Sequence, residues 1–247
     1  MLEVKNVSFQ YKGKKKEKAF GLEDISFQLE KGYVLGLLGL NGAGKSTLMD
    51  LLMGVHAPDS GNVMYDGMEI SEDTTKSLQK IAFVSDKMEF LRFRTLRENV
   101  SLFGLLYDNF DYEKWDKYMI SFGFQADQLG LCYDDLSTGE KRKFQLAFAL
   151  SYSPELLLLD EPTANLDPHA RVEWMELIGK QVAEEEISVI MATHLTSDLD
   201  EMADYILVLD KGKQIAYMDR EEMVDNFGEI ELSKLLLELT GDAWIKE

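Results

Sequence analysis

The stretch GLNGAGKST, residues 39–47, has the residue types and the spacing that phosphate chemistry requires. It fits the pattern G-x-x-x-x-G-K-[ST], and it lies between a short apolar run and a helix-compatible run. Its glycines let backbone N–H groups approach a phosphate, and the start of the following helix attracts negative charge. Lys45 adds a mobile positive charge directed at the β- and γ-phosphates, and Ser46 is predicted to hold Mg²⁺. The stretch therefore predicts a phosphate site.

A second stretch, LLLLDEPT at 156–163, supplies carboxylates for the same chemistry. Its apolar run predicts a buried strand that ends at Asp160, so that the carboxylate emerges at the sheet edge where open α/β sheets bind ligands. Asp160 is predicted to hold Mg²⁺, mostly through water. Glu161, one residue further on, is placed to polarise an attacking water as a general base for phosphoryl transfer.

A third stretch, LSTGEKRKFQLAFAL at 136–150, is typical of a helix start. Ser137 and Glu140 have the spacing of a capping box, in which each side chain bonds the other residue's backbone N–H. The small residues Ser137, Thr138 and Gly139 leave the positive end of this helix bare, and such an end attracts phosphate. Three basic residues at 141–143 add positive charge beside it. The stretch alone does not indicate whose phosphate it would bind.

The elements that must position these residues alternate between strands and helices. Apolar patterning predicts strands at 2–11, 22–30, 33–38, 62–66, 81–84, 156–160, 187–192, 204–210 and 213–218. It predicts helices at 45–53, 168–184, 196–203 and 230–240. This order favours an α/β core. Between 87 and 152 the spacing becomes helical and aromatic, which predicts a helical subdomain inserted into a core formed by 1–86 and 153–247.

Composition limits the classes of protein to which the chain can belong. Its 247 residues are 45% apolar, which is enough for a buried core. The 26 basic and 45 acidic residues give a formal charge of −19, which argues against extended contact with nucleic acid. No apolar run approaches the roughly 18 to 20 residues that span a bilayer, so we expect any membrane-spanning part to belong to another chain.

The cysteine content limits the covalent structure of the chain. A single cysteine, Cys132, excludes an internal disulfide framework.

Taken in order, these motifs resemble those of the nucleotide-binding subunit of an ATP-binding cassette (ABC) transporter. The likeness extends from about Leu2 to about Asp225 and adds three further motifs. They are an aromatic A-loop residue (Tyr11), a D-loop (ANLDP, 164–168) and a switch histidine (His194, in MATHL). Any smaller motif alone is weak, whereas six in order are specific. The resemblance implies an α/β fold of the P-loop NTPase type, with the ABC arrangement of an N-terminal antiparallel β part and an inserted helical subdomain.

The resemblance also implies an ATPase and a role for each matching residue. His194 would contact the γ-phosphate and orient the attacking water, and Glu161 would be the other catalytic residue. Asp167 belongs to the D-loop, and Tyr11 would stack on adenine. The implied Mg²⁺ ligands are Ser46 and Asp160. The residues implied to bind ATP are Tyr11, Gly39, Asn41, Gly42, Ala43, Gly44, Lys45, Ser46 and Thr47.

In this family two subunits pack head to tail, and each signature closes over ATP held by the other. The implied signature residues are Ser137, Thr138, Gly139 and Glu140, in which Thr138 replaces a common glycine and Glu140 a common glutamine. The second subunit would be another copy of this chain or a paralogue. Dimer closure would move separate integral membrane chains, and a groove formed by 87–110 would receive a cytoplasmic helix of that partner. The implied location is the cytoplasmic face of the membrane, through that partner.

Aromatic residues are frequent in this region, and most of them are expected to fill the core of the helical subdomain. Some, such as Phe90 or Phe93, are expected to be exposed. One position departs from the family pattern: Asp86 stands where a glutamine usually connects Mg²⁺ and the water to the transport partner. Acidic residues here resemble a variant of some exporter-type cassettes, which favours export. We expect Asp86 to remain competent for coupling.

A second function remains open from the sequence. Within the same family, a cassette ATPase without membrane chains drives assembly work such as iron-sulfur cluster assembly, and it has a similar size and a Glu-Lys pair in its signature. The ATP chemistry would be the same in both cases. A multi-span membrane protein that co-purifies with the chain would distinguish the two.

Overall fold

The computed structural model describes residues 1–12, 20–70, 74–85, 87–200, 202–228 and 231–240. Within these residues the strands are β1 (Leu2–Gln10), β2 (Gly21–Leu29), β3 (Val34–Leu38), β4 (Ser60–Tyr65), β5 (Met68–Glu69), β6 (Ile81–Ser85), β7 (Leu156–Asp160), β8 (Ser188–Thr193), β9 (Tyr205–Asp210) and β10 (Lys213–Asp219). The helices are α1 (Lys45–Leu52), α2 (Thr74–Leu78), α3 (Leu96–Phe103), α4 (Tyr112–Ser121), α5 (Thr138–Leu150), α6 (Pro168–Glu185), α7 (Arg220–Phe227) and α8 (Leu232–Thr240).

The chain divides into two compact units, one formed by 1–77 with 188–247 and the other by 78–187. The predicted helical subdomain, 87–152, lies within the second unit. Its exact boundaries, and those of the core at 1–86 and 153–247, stay a prediction. Asp86 lies outside the described residues.

The first unit contains an eight-stranded part of sheet in the order β5-β4-β1-β2-β10-β9-β3-β8. Strands β5, β4, β1 and β2 pair antiparallel, which confirms the antiparallel N-terminal part. Strand β3 lies between β8 and β9 and is parallel to both. All five of its residues, VLGLL, are buried, as expected for a strand with parallel neighbours on both sides.

The parallel register aligns the carboxyl ends of three strands in this unit. Leu38, the last residue of β3, is paired with Thr193 of β8 and with Val208 of β9. The residues that follow β3 and β8 therefore leave the sheet at the same edge. Because ligands of α/β sheets bind at such an edge, this register places the predicted phosphate loop and His194 on the same side.

The second unit contains the parallel pair β6 and β7 and the helices α3 to α6. Strand β7, LLLLD, is buried throughout and ends opposite Ser85, the last residue of β6. The helices surround an aromatic core, and Phe144 of α5 lies at its centre. The ring of Phe144 is 4.8 Å from Phe90, 5.5 Å from Tyr133 and 6.3 Å from Trp115, centre to centre.

Side-chain caps fix where the helices begin. Thr95 and Glu98 form a capping box at α3, and Asp219 and Glu222 form another at α7. The Asp111 carboxylate accepts two backbone N–H bonds at the start of α4. Each cap satisfies backbone donors that have no partner inside their own helix.

The predicted strands and most predicted helices are confirmed, with small differences at their ends. The helix predicted at 196–203 is wrong, since the described residues of this range form only a 3₁₀ turn, Thr196–Asp198. The carbonyls of Asp200 and Ala203 instead accept hydrogen bonds from the Arg220 guanidinium, at 2.6 and 3.1 Å. The Asp204 N–H donates to the Val34 carbonyl at 2.9 Å, whereas a helix that continued past Ala203 would pair it with the Asp200 carbonyl. The patterning missed β5, α2 and α7.

Most aromatic residues of the second unit fill its core, as expected, and of the two named as exposed only Phe93 is. Phe90 is buried among the rings around Phe144, whereas Phe93 is 86% exposed. Phe90 therefore belongs to the core, and Phe93 to the surface. No helix within the described part of the chain is long and apolar enough to cross a lipid bilayer.

Phe144→Ala should destabilise the protein by about 3–5 kcal/mol, because it removes a fully buried ring and leaves a cavity among its neighbours. Urea unfolding followed by circular dichroism measures this loss. Phe93→Ala is the matched control, and its exposed ring should change the free energy of unfolding by less than about 0.5 kcal/mol. Equal losses in the two variants would contradict the assignment of the core.

Candidate active site

The loop after β3 has a backbone that only glycine adopts readily. Gly42 and Gly44 have φ angles of +80° and +116°. A Cβ on Gly44 would also lie 2.6 Å from Leu22 Cδ2. The Ala43 N–H donates to the Leu40 carbonyl at 3.0 Å and closes the turn. The glycines at these positions thus allow the chain to turn tightly into α1.

A neighbouring turn packs closely against this loop. A Cβ on Gly39 would lie 2.6 Å from the carbonyl oxygen of Leu209, at the end of β9. The Gly212 N–H, in the turn between β9 and β10, donates to the Ala43 carbonyl at 2.8 Å. The conformation of the loop is therefore stabilised by the β9–β10 turn as well as by its own hydrogen bond.

Lys45 is the first residue of α1, and its side chain folds back over the loop. Its Nζ donates to the Gly39 carbonyl at 2.6 Å, and the residue is only 7% exposed. Gly44 caps the helix without any side-chain hydrogen bond. A buried ammonium group and an open helix N-terminus thus occur together, and both attract an anion. This geometry agrees with the predicted phosphate site formed by 39–47.

Aromatic side chains lie beside the loop. Tyr11, directly after β1, has its hydroxyl 3.4 Å from Thr47 Oγ1, and its ring meets the edges of Phe9 and His56. Phe20 was not anticipated, and its Cζ lies 3.3 Å from the position that a Cβ on Gly44 would take. The antiparallel register of β1 and β2 brings Phe20 opposite Tyr11, whose N–H donates to the Phe20 carbonyl. The sequence could have indicated that Phe20 lies beside the loop only if the pairing register of β1 and β2 had been known.

His194 follows β8 and is exposed. Since Leu38 and Thr193 are partners at the ends of β3 and β8, the backbone of His194 leaves the sheet beside the start of the phosphate loop. The Leu195 N–H donates to Thr193 Oγ1 at 3.0 Å and fixes the turn there. The first unit thus brings together the phosphate loop, Tyr11 and the strand end that precedes His194.

The second unit positions Asp160 and Glu161 at the end of β7. Asp160 is 4% exposed, and the Lys87 ammonium lies 3.8 Å from its Oδ2. Glu161 has a φ of +48°, an uncommon conformation for a residue with a side chain. Such strain is often found at functional sites, and here it turns the chain sharply after the strand. The Ala164 N–H donates to the Glu161 carbonyl at 3.2 Å.

Asp167 caps α6 with its carboxylate. Its Oδ1 accepts hydrogen bonds from the N–H groups of His169 and Ala170 at 3.0 and 3.1 Å. These bonds, that of Ala170 first, hold the pKa of Asp167 below its usual range. In this structure the predicted D-loop residue therefore begins the helix.

The capping box predicted at the start of α5 is confirmed. The Ser137 N–H donates to Glu140 Oε2 at 2.9 Å, and the Glu140 N–H donates to Ser137 Oγ at 3.3 Å. The Ser137 hydroxyl also donates to Glu140 at 2.7 Å. The side-chain bond from Ser137, then the backbone bond, lowers the pKa of Glu140. A Cβ on Gly139 would meet nothing within 4 Å, so this side of the helix start is open.

The basic residues after the signature contribute less free charge than the sequence suggested. Lys143 bonds Glu173 at 2.7 Å, and Lys141 lies 3.8 Å from Asp134. Arg142 is buried and bonds the Gln145 side chain. Each cation thus faces a polar or acidic partner. The feature that can attract an anion here is the N-terminus of α5, which is open beside Gly139.

Known proteins share this sequence pattern and this fold. A family model described as ABC transporter matches residues 22–164. The linearmycin resistance ATP-binding protein LnrL of Bacillus subtilis is 31% identical over 247 residues, which cover 99% of this chain and 78% of the relative. The energy-coupling factor transporter ATP-binding protein EcfA1 of Staphylococcus aureus is 33% identical over 232 residues, which cover 92% of this chain and 84% of the relative.

A solved structure described as the ATP-binding subunit of an ABC transporter has the same fold. It superimposes with a TM-score of 0.84 at 26% identity, and the match covers 97% of this chain and 99% of that one. The likeness therefore extends over both compact units.

Lys45→Ala should weaken ATP binding by roughly tenfold to a hundredfold, because a charge-assisted hydrogen bond to phosphate contributes about 1.5–3 kcal/mol. Equilibrium titration with a fluorescent ATP analogue measures the dissociation constant. Lys234→Ala, on the exposed surface of α8, is the matched control and should bind as the parent does. Unchanged affinity in Lys45→Ala would place the phosphate elsewhere.

Glu140→Gln should make the chain less sensitive to acid. The Glu140 pKa is lowered in the folded protein, so the stabilisation is present above the unfolded pKa and is lost as the pH falls through the folded one. Glutamine can keep the capping geometry without a charge. The difference in unfolding free energy between parent and variant should therefore shrink from about pH 6 to about pH 3. Urea unfolding at both pH values tests this, and a difference independent of pH would contradict it.

Proposed function

The chain belongs to the ABC transporter family as an ATP-binding and ATP-hydrolysing subunit, and from this membership we propose how its own residues perform that function. The phosphate loop at 39–47 binds the triphosphate, and Tyr11 stacks on the adenine. The observation that most supports this is the buried Lys45 ammonium, which bonds the Gly39 carbonyl in a loop with two left-handed glycines. A phosphate oxygen is a stronger partner for that ammonium than a neutral carbonyl.

Hydrolysis transfers the γ-phosphoryl group to water. The water oxygen bonds to the γ-phosphorus, the bond to the bridging β–γ oxygen breaks, and ADP leaves. Glu161 accepts the proton of the attacking water, and His194 orients that water and contacts the γ-phosphate. General-base assistance of this kind contributes typically 10²–10⁴-fold in rate. The strained backbone at Glu161 supports this role, because it directs the residue away from the strand path.

The side chains present fit Mg²⁺. Ser46 offers a hydroxyl and Asp160 a buried carboxylate, and Mg²⁺ typically takes few protein oxygens together with substrate phosphates. When bound, the ion neutralises charge on the β- and γ-phosphate oxygens. Ser46 and Asp160 are the residues that would hold it.

A second copy of this chain completes each site. Ser137 and the N–H of Gly139 bind the γ-phosphate of ATP held by the partner copy, and the open side of Gly139 supports this contact. Each charge-assisted hydrogen bond to phosphate is worth about 1.5–3 kcal/mol. Several such bonds across a symmetric dimer would favour closure with ATP, and loss of the γ-phosphate would release it.

The exposed apolar side chains between 87 and 110 receive a membrane partner. Phe93 is joined by three exposed leucines at the end of α3 and just beyond it, namely Leu102, Leu105 and Leu106. A contiguous exposed apolar patch marks an interaction site, and we infer that these side chains form one. A cytoplasmic helix of a separate membrane chain would cover them and hold the subunit at the cytoplasmic face. We expect Asp86, just before this region, to take part in coupling.

We propose export as the direction of transport. The acidic residue at position 86 favours it, and a relative that the chain matches almost from end to end is named for resistance. Both relatives named above are ATP-binding proteins of transport or resistance systems. No feature of the described residues favours the assembly function over transport.

Glu161→Gln should bind ATP normally and hydrolyse it at least about a hundredfold more slowly, because the general base is lost while the size of the side chain is kept. ATP should then hold the variant as a closed dimer, measured by light scattering after size exclusion. Glu184→Gln, on the exposed surface of α6, is the control. Hydrolysis at the parent rate would remove Glu161 from its role.

The same variant tests the transport assignment. Tagged Glu161→Gln is purified with ATP from detergent-solubilised cells, and the proteins that accompany it are identified by mass spectrometry. A multi-span membrane protein in equal amount is expected. Its replacement by assembly proteins that lack membrane spans would contradict transport and leave the ATP chemistry intact.

A further inference from the structure

A buried amide joins the signature helix to the chain that follows β6. Gln145 lies on α5 and is 3% exposed. Its Nε2 donates to the carbonyl of Met88 at 2.7 Å and to the hydroxyl oxygen of Tyr133 at 3.0 Å. We name residues 88–95 the coupling segment, since they connect β6 to α3 and include the exposed Phe93.

The Gln145 amide is held on both of its polar atoms. Its Oε1 accepts a hydrogen bond from the Arg142 guanidinium at 3.3 Å. Burial raises the pKa of Tyr133, so that its hydroxyl stays protonated. A buried polar network of this kind fixes a single geometry, because an amide group that lost its partners there would be left without water. The network therefore sets the position of Met88 relative to α5.

The coupling segment is tied to α3 by a different amide. The Asn99 side chain accepts from the Leu91 N–H at 2.8 Å and donates to the Leu91 carbonyl at 3.0 Å. The Phe90 ring also packs on Phe144 of α5. That ring pair meets edge to face, and the bond from Gln145 to Met88 adds a hydrogen bond that specifies one register between the segment and the signature helix.

The two structures that Gln145 joins have different proposed partners. Ser137, at the start of α5, would meet the γ-phosphate of the second copy. Phe93, in the coupling segment, would meet the membrane chain. Helix α5 is continuous from Thr138 to Leu150, so Gln145 lies about 12 Å along it from Ser137 at 1.5 Å per residue. A shift of the helix is thus passed to Gln145 as a rigid displacement.

We propose that Gln145 is a positioning residue that transmits movement of the signature helix to the coupling segment. This inference rests on the proposed function, in which ATP closes the signature over a second copy. A merely structural role for Gln145 would instead predict a general loss of stability in the second unit. The two roles differ in how the coupling segment responds to ATP.

The test is hydrogen exchange measured by mass spectrometry on the full chain carrying Glu161→Gln, with and without ATP. Peptides over 137–150 report the signature helix, and peptides over 88–95 report the coupling segment. The N–H groups of Met88, Leu91 and Arg94 all bond within the protein, so their exchange is slow enough to follow. With Gln145 present, ATP should slow exchange in both regions.

Gln145→Met keeps the length of the side chain and removes the hydrogen bond to Met88. In this variant ATP should still slow exchange at 137–150, while its effect at 88–95 should fall by about tenfold. Gln145→Asn is the second variant, because its shorter amide should no longer reach Met88. Tyr152→Phe is the matched control, since it removes a buried hydrogen bond to the Ile81 carbonyl, away from the coupling segment.

The outcomes separate the two proposals. A response at 88–95 that stays at the parent level in both Gln145 variants overturns the positioning role. Loss of the ATP response in both regions, or an equal loss in Tyr152→Phe, also overturns it and indicates a structural role. If ATP fails to slow exchange at 137–150 when Gln145 is present, the proposed closure itself fails.

Discussion

The candidate site depends on one hydrogen bond, from the buried Lys45 ammonium group to the backbone of the loop that follows β3. Burying a charge is costly unless it has good partners, and Lys45 bonds the Gly39 carbonyl at 2.6 Å. That bond requires the loop to fold back on itself, which the left-handed Gly42 and Gly44 allow. The loop in turn requires β3 to end between β8 and β9. The fold of the loop thus holds the Lys45 ammonium group where a phosphate can bind it.

In the second unit, the signature residue Ser137 is held by a hydrogen bond that a phosphate could replace. The Ser137 hydroxyl already donates to an anionic acceptor, Glu140. In the proposed dimer, a γ-phosphate would compete with that carboxylate for the same hydrogen. Because one charged acceptor replaces another, the net change in free energy is smaller than the bond itself. Closure can therefore be reversible, as a cycle of binding and release requires, and the buried Gln145 network would pass each closure to the surface.

Local spacing predicted most of the fold and the core of the site, because it encodes interactions between neighbours in the chain. The phosphate loop, the buried strands and the Ser137 capping box all depend on residues a few positions apart. The failures depend on tertiary contacts. Phe90 proved buried because Phe144 packs against it, and a helix past Ala203 is excluded because the Asp204 N–H bonds the Val34 carbonyl. Phe20 was missed because only the β1–β2 register brings it to the loop.

In the proposed dimer, the phosphate loop of one copy meets the signature of another only when ATP is bound. This contact is tested by cross-linking Asn41→Cys chains with differently sized Thr138→Cys chains, both carrying Cys132→Ser and Glu161→Gln, using a short bismaleimide. We expect a mixed cross-linked dimer that forms with ATP and Mg²⁺ and disappears with ADP. A cross-link that is absent with ATP, or equally strong with ADP, would contradict it.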